Sequence, residues 1–415
     1  MKRILTVSSG KGGVGKTTFA INFALSLSTV APTILVDLDT GTSSVRNSIL
    51  APVSRDLYHF FRKSIPLSEC VTTLPETLDP GGHFKNFGFV AGPKHLIDDI
   101  TNFGSELRNR LRAAINKLPA TYVILDMKAG LDPNVIDFLP YSNSGILVFT
   151  PHLPAATLAA SDIVKAILFR KLRILFAPDS PFYKRISANP RYPSMVNSLL
   201  DSVEDVYDES IGNIDEFLVD LSQNLGPSPI VDLLRDTVEY FRVYYVLNMF
   251  NGVKESYDTA IAPFVANILE NVSASINITN LGWILKSERI HAANCRQRPI
   301  LLEEDPPPPP TRPDPVGEQV AALERQFLNL RVEKPPRPEI PRTYQTIDPS
   351  RALAQQLDSL RAMYADQKES GVRENFSYIT HRALHLVEGM RSSEFGETKI
   401  CGKEEIISYF FPDEW

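Results

Sequence analysis

The chain has 415 residues, 43% of them hydrophobic and 22% charged, which suits a folded chain with one large core and something smaller beside it. Its formal net charge of -6 argues against nucleic acid as a contact over the whole surface and leaves only a local basic patch open. Cys70, Cys295 and Cys401 lie far apart and form no C-x-x-C pair, which disfavours zinc or an iron–sulfur cluster within one chain and fits a reducing cytoplasm.

The stretch between Arg3 and polar Ser8 is too short for the apolar region of a signal peptide. No run of about 18 apolar residues follows, so no membrane-spanning helix is expected. The apolar runs "RILTVSS" (3–9), "TILVDLD" (33–39) and "TYVILDM" (121–127) are continuous rather than alternating, as in parallel strands covered on both faces. "GILVFTP" (145–151), "VYYVLNMF" (243–250) and "ITNLGWIL" (278–285) read the same way. Helical patterns such as 18–28 and 105–117 separate them, and this alternation predicts a doubly wound, mostly parallel α/β sheet with helices on both faces. Between the fourth and fifth runs the order weakens into helix-like segments, including "DEFLVDLSQNL" and "IVDLLRDTVEYF", read as a helical insertion at about 177–240. Residues 161–176, "SDIVKAILFRKLRILF", join Lys165, Arg170, Lys171 and Arg173 to a dense apolar set; a helix packed on the sheet is expected rather than an interfacial membrane helix.

From Glu303 the composition changes. Residues 306–341 hold 11 of the 32 prolines, so 303–348 reads as a semi-rigid, Pro-rich linker. A short amphipathic helix inside it would carry Val320, Leu323, Phe327 and Leu330 on one face. A second pattern places Leu353, Leu357, Leu360 and Tyr364 together and opens a C-terminal helical, partner-binding module at 349–415. Packing of these faces on the main domain, residues 1–302, is the competing expectation.

The first strand runs into "SSGKGGVGKTT" (8–18), which contains G-x-x-x-x-G-K-[ST] from Gly10 to Thr17 between a strand and a helix. Gly12, Gly13, Val14 and Gly15 form a loop whose N–H groups can cradle phosphate, with the positive end of the following helix behind them. Lys16 supplies a point charge, Thr17 a hydroxyl for Mg²⁺ and Thr18 a further contact; Asp126, ending its strand, is the expected magnesium partner. Of Asp37 and Asp39, only one is expected to face the nucleotide, and Asp39 is assigned as the group that orients the attacking water. A second lysine, Lys11, has no role in this scheme.

"KGGVGKTT", "LVDLD" and "ILDMKAG" together resemble the deviant Walker A ATPases, the MinD/ParA group, over roughly residues 1–302. The resemblance implies that Lys11 reaches across an ATP-dependent homodimer to the phosphates of the other subunit. It also implies a weak ATPase using ATP and Mg²⁺ as a nucleotide-timed switch. "DLDTGTSSV" and "FGFVAGPK" resemble the flagellar-number regulator FlhG and its MinD-like relatives, and Asn248 in "YYVLNMF" matches the adenine-contacting asparagine. "LGWILKSERIHAANCRQRPIL" resembles the closing strand and loop, although Leu285 and Ser287 replace a proline and an aspartate and Ser44 replaces an asparagine. Lys128 stands where proline or glycine is usual in the second switch.

The leading reading is therefore a MinD/FlhG-like switch that positions or counts a cellular structure and recruits a protein partner through residues 303–415. The rivals are a ParA-like ATPase binding DNA non-specifically, for which Arg289, Arg296 and Arg298 give some footing, and a metabolic or metallocluster-handling ATPase of the same fold. The acidic end "EEIISYFFPDEW" lacks the basic amphipathic anchor of MinD-like proteins, so peripheral attachment at a membrane or cell pole would need another device.

Overall fold

The computed structural model describes residues 2–39, 44–94, 104–130, 138–140, 142–178, 213–226, 229–303, 348–367, 370–389, 395–396 and 398–402, with positions 180, 183, 197, 198, 200, 201 and 406. In the described residues the strands are β1 (Arg3–Ser8), β2 (Thr33–Asp37), β3 (Thr72–Thr73), β4 (Phe87–Val90), β5 (Tyr122–Asp126), β6 (Asn143–Phe149), β7 (Arg242–Phe250) and β8 (Asn277–Leu285). They form one sheet in the order β3-β4-β2-β5-β1-β6-β7-β8. Every pairing is parallel except the edge pair β3–β4. The two-residue β3 leaves no periodicity in the sequence and was not foreseen; the runs expected as parallel strands are all present.

Strict alternation within the strands sends neighbours to opposite faces, which is why both faces needed continuous apolar runs. One core takes Val36, Val123, Leu125, Leu147, Phe149, Tyr245 and Leu247 from the sheet. It is covered by α4 (Ser105–Asn116), α5 (Pro154–Leu175), α6 (Ile214–Leu225), α7 (Pro229–Glu239) and α9 (Ala262–Asn271). Of the expected insertion at 177–240, α6 and α7 are described and the stretch from 202 to 212 lies outside the described residues. The 161–176 stretch falls in α5, where Ile163, Val164, Ile167, Leu168 and Leu172 are buried in this core, so it is a sheet-covering helix. Among the described residues no helix is long and apolar enough to cross a membrane.

The other core joins Leu5, Val7, Leu35, Ile124, Val148, Tyr244 and Val246 to α1 (Lys16–Ser28) and, unexpectedly, to the far C-terminus. Helix α12 (Val372–Gly389) lies beside α1 with Phe376, Ile379 and Ala383 buried in that core. Its Phe376 ring stacks on Phe19 at 6.1 Å, and the Thr380 hydroxyl donates to Ser26 Oγ at 2.8 Å. Helix α11 (Pro349–Gln367) takes the opposite face, burying Leu360 and Met363 and packing Leu353 and Tyr364 against the first core. Gln356 anchors it, accepting from Tyr245 Oη at 3.1 Å and donating to Ile278 O at 2.8 Å. Both helical patterns expected in 349–415 are present as helices. Their apolar faces need cover, and they find it on both sides of the sheet instead of in a core of their own. The linker residues 304–347, with their expected short helix, lie outside the described residues, as do 403–405 and 407–415.

A candidate nucleotide site at the sheet's carboxyl end

β1 ends at Ser8 and α1 begins at Lys16, so the glycine loop spans the residues between them at the carboxyl ends of the strands. Two contacts explain why glycine is required there. A Cβ on Gly10 would lie 2.3 Å from the backbone carbon of Ala159, so α5 could not approach. Gly15, the residue before α1, has φ 82°, and a Cβ there would sit 2.2 Å from Asn248 Nδ2. That amide donates to Val14 O at 2.8 Å, tying β7 to the loop.

Register then assembles the acids. Asp37 and Asp126 end adjacent parallel strands opposite one another, and both are fully buried. Lys16 Nζ donates to Asp126 Oδ1, and the Thr17 hydroxyl donates to Asp126 Oδ2 at 2.7 Å. Asp37 accepts from the backbone N–H groups of Asp39 (3.1 Å), Val45 (3.1 Å) and Gly92 (3.3 Å), binding three segments to one carboxylate. Burial first, and the neighbouring Asp126 second, push its carboxyl up to about 7; the Val45 N–H and Lys16 oppose them. Asp39 follows the strand and is half-buried, one residue short of 40–43, which lie outside the described residues. Asp37 is therefore the more constrained of the two acids, and the in-register strand ends were the sequence signal for it. Lys11 is exposed on the loop, its carbonyl accepting from Ser9 Oγ at 3.0 Å. Lys128 is half-buried and precedes Gly130, whose N–H donates to Ser9 O at 2.9 Å.

Beside the loop lies a cavity of about 420 Å³ whose lining includes Gly15, Thr18, Asn248, Met249, Leu285 and His291. Lys286, Ser287, Glu288 and Asn294 complete much of the rest. Asn294, on α10 (Glu288–Cys295), donates to Thr18 Oγ1 at 3.2 Å and so bridges loop helix and closing loop. Ser287 caps α10 by accepting from the Arg289 N–H at 3.2 Å, a local reason for serine at that position. Met249 has φ 57° at a break in the β7–β8 register, an unusual backbone for a non-glycine residue. Met249, Lys286, His291 and Asn294 were not singled out from sequence, although all four lie inside the stretches quoted for the closing strand, closing loop and Asn248.

The residues fit a Mg²⁺-nucleotide. Cβ positions at Gly12 and Gly13 meet nothing within 4 Å, leaving room along the loop. Thr17 Oγ1 and the Asp126 carboxylate offer hard oxygen donors side by side. The cavity beyond Gly15 has the size and mixed polarity of a base pocket.

Residues 5–300 match the family described as the CobQ/CobB/MinD/ParA nucleotide binding domain. The septum site-determining protein MinD of Helicobacter pylori is 27% identical over 213 residues, 50% of this chain and 74% of that protein. MinD of Escherichia coli is 25% identical over 245 residues, covering 57% of this chain and 87% of its own. A putative MinD of Chlorella vulgaris is 26% identical over 156 residues, 37% of this chain; the chain spans about half the length of that relative (53%). The MinD structure from Pyrococcus horikoshii, complexed with Mg-ADP, is similar with a TM-score of 0.42 at 14% identity, covering 72% of this chain and 88% of that one. With strands, glycine loop and closing loop all inside the matched span, the chain belongs to the CobQ/CobB/MinD/ParA nucleotide-binding family.

Proposed function

We propose that the chain is a Mg²⁺-dependent, weak ATPase that acts as a dimerising switch and positions or counts a cellular structure. The observation that carries this reading is the division of the two lysines: Lys16 is buried against Asp126, while Lys11 stands exposed at the mouth of the same loop. In this scheme Lys16 and the loop N–H groups hold the triphosphate, and Asp39 orients water. A bound Mg²⁺ would neutralise charge on the phosphate oxygens. Asn248 and the cavity beside Gly15 take the adenine. Lys11 reaches the phosphates of a second copy, so the dimer persists only while the triphosphate does.

Partner capture is assigned to the arm that begins at 303. With α11 and α12 occupied on the sheet, residues 304–347 are the segment proposed to recruit. The DNA reading loses footing in the geometry of its arginines. Arg296 pairs with Glu303 at 2.9 Å, and Arg298 donates to Leu302 O at 2.8 Å, so both are engaged within the fold.

Size measurement with Mg²⁺ and a non-hydrolysable ATP analogue tests the switch. The expected result is a dimer that Lys11→Ala removes, with nucleotide still bound in the single subunit. A wild-type chain that stays monomeric at saturating nucleotide overturns the trans-lysine assignment.

A further inference from the structure

We propose that Asn375, on the C-terminal helix α12, is a positioning residue for the base pocket: its side-chain carbonyl takes the Leu285 N–H on the outer edge of β8 and fixes the pocket wall there. This rests on the reading of the 420 Å³ cavity as the base site.

The argument begins in the ladder. Strands β7 and β8 shift register first between Tyr245–Asn280 and Val246–Gly282; the shift nearest the cavity follows Leu247–Trp283, with the next pair at Phe250–Leu285. The shift spans Asn248 and Met249, the two β7 residues that line the cavity, and Met249 takes up its positive φ there. A bulge of this kind re-aims side chains at a cost to the ladder, leaving backbone groups to find other partners. Lys286 N–H regains one, donating to Phe250 O at 3.1 Å. The Leu285 N–H points the other way, to the outer edge of β8, the last strand of the described sheet, and donates to Asn375 Oδ1 at 3.2 Å. Asn375 is fully buried, and its amide donates to Gln367 Oε1 at 3.2 Å, so its orientation is fixed from behind by α11.

The same helix holds the opposite wall. Thr18, which lines the cavity, belongs to α1, and α1 is bound to α12 through Phe19–Phe376 and Ser26–Thr380. β8 is shaped to receive α12. Gly282 has φ 141°, a Cβ there would come within 2.8 Å of Ile379 Cγ1, and Arg382 donates to Asn280 O at 2.9 Å. One helix thus touches α1 and β8, the elements behind two walls of the cavity. By linkage, what the base gains from a preset pocket, α12 gains in docking stability when the base is bound.

The test separates base from phosphate. Affinities for ATP and for inorganic tripolyphosphate are measured by calorimetry on the full chain and on two variants. Asn375→Ala is expected to weaken ATP about tenfold, the scale of a buried N–H left without a partner, and to leave tripolyphosphate unchanged. Thr380→Val loosens the same helix without touching Leu285 and should lower the ratio of ATP to tripolyphosphate affinity less than Asn375→Ala does; an equal loss overturns the specific role of Asn375. If Asn375→Ala weakens both ligands in the same proportion, or neither, the positioning role is overturned. If the wild type itself binds tripolyphosphate as well as ATP, the base-pocket reading fails, and this inference with it. Hydrogen exchange on the unaltered protein gives an arm that needs no variant. Amides of 372–387 should exchange more slowly with ATP than with tripolyphosphate, and equal rates overturn the linkage.

Discussion

The two halves of the candidate site are built differently. On the phosphate side, contacts are polar, buried and dense: Lys16, Thr17 and Asp126 form one cluster, and Asp37 beside it collects three backbone N–H groups. On the base side there is a 420 Å³ cavity whose lining comes from β7, the end of β8 and α10, held together by single hydrogen bonds such as Asn248–Val14 and Asn294–Thr18. A triphosphate presents the same charges whatever its base, so one rigid cradle serves. A planar base is recognised by shape and a few polar atoms, which a wall assembled from several segments can supply.

The comparison breaks most easily at the charges. Asp39→Ala is expected to retain ATP and lose turnover by about 10²- to 10⁴-fold, since water positioning acts on the barrier rather than on binding. Lys16→Ala should instead weaken nucleotide on the order of 10- to 100-fold, the worth of a charged hydrogen bond. Single-turnover rates and calorimetry on both variants check this, and equal behaviour of the two would erase the division of roles.

A smaller effect sharpens the phosphate side. Asp37 sits at about 7 against an ordinary 3.8, so between those values the folded chain holds a proton that the unfolded chain has released. Its contribution is fully present below the ordinary value and is lost as pH rises through about 7. Melting temperature should therefore fall across that window in the wild type, and Asp37→Asn should flatten the fall. An identical slope in the variant would place the proton elsewhere.

The smallest expected effect lies on the base side. Met249→Gly relieves a left-handed backbone worth roughly 1 kcal/mol and should raise the melting temperature slightly. It also strips a side chain from the cavity lining and should weaken ATP without changing tripolyphosphate. A variant no more stable than the wild type would mean that the methionine's packing outweighs the strain.

The same contrast decides how much was legible in the sequence. The phosphate side follows local patterns: Gly10 to Gly15 is one loop running into α1, and Asp126 ends an apolar run read as a neighbouring strand. The sheet was legible for a related reason, because continuous apolar runs signal strands buried on both faces. Asn248 was reached only through resemblance. Met249 sits at a register break, which no local pattern encodes, and His291 and Asn294 line the cavity from α10, whose placement against α1 the sequence does not show. Asn375 lies beyond a proline-rich stretch that read as the end of the main domain. A change of composition says nothing about whether the chain returns to the fold it left, which is why Asn375 drew no attention. The amphipathic face of Leu353, Leu357, Leu360 and Tyr364 was visible, but periodicity does not name what covers a face.

That return sets the order in which the protein can be completed during synthesis. Ser26 and Thr380 are 354 positions apart, and Phe19 shares its core with Phe376. At ribosomal speeds of roughly 5 to 20 residues per second, helix α1 waits about 20 to 70 s for the partner that covers it. Throughout that interval the glycine loop already exists, while the helix behind it has an apolar flank without its final cover. The nascent chain therefore carries a sticky stage that lasts until α12 has left the exit tunnel. Premature termination there would yield a species with its phosphate motif intact and a tendency to aggregate.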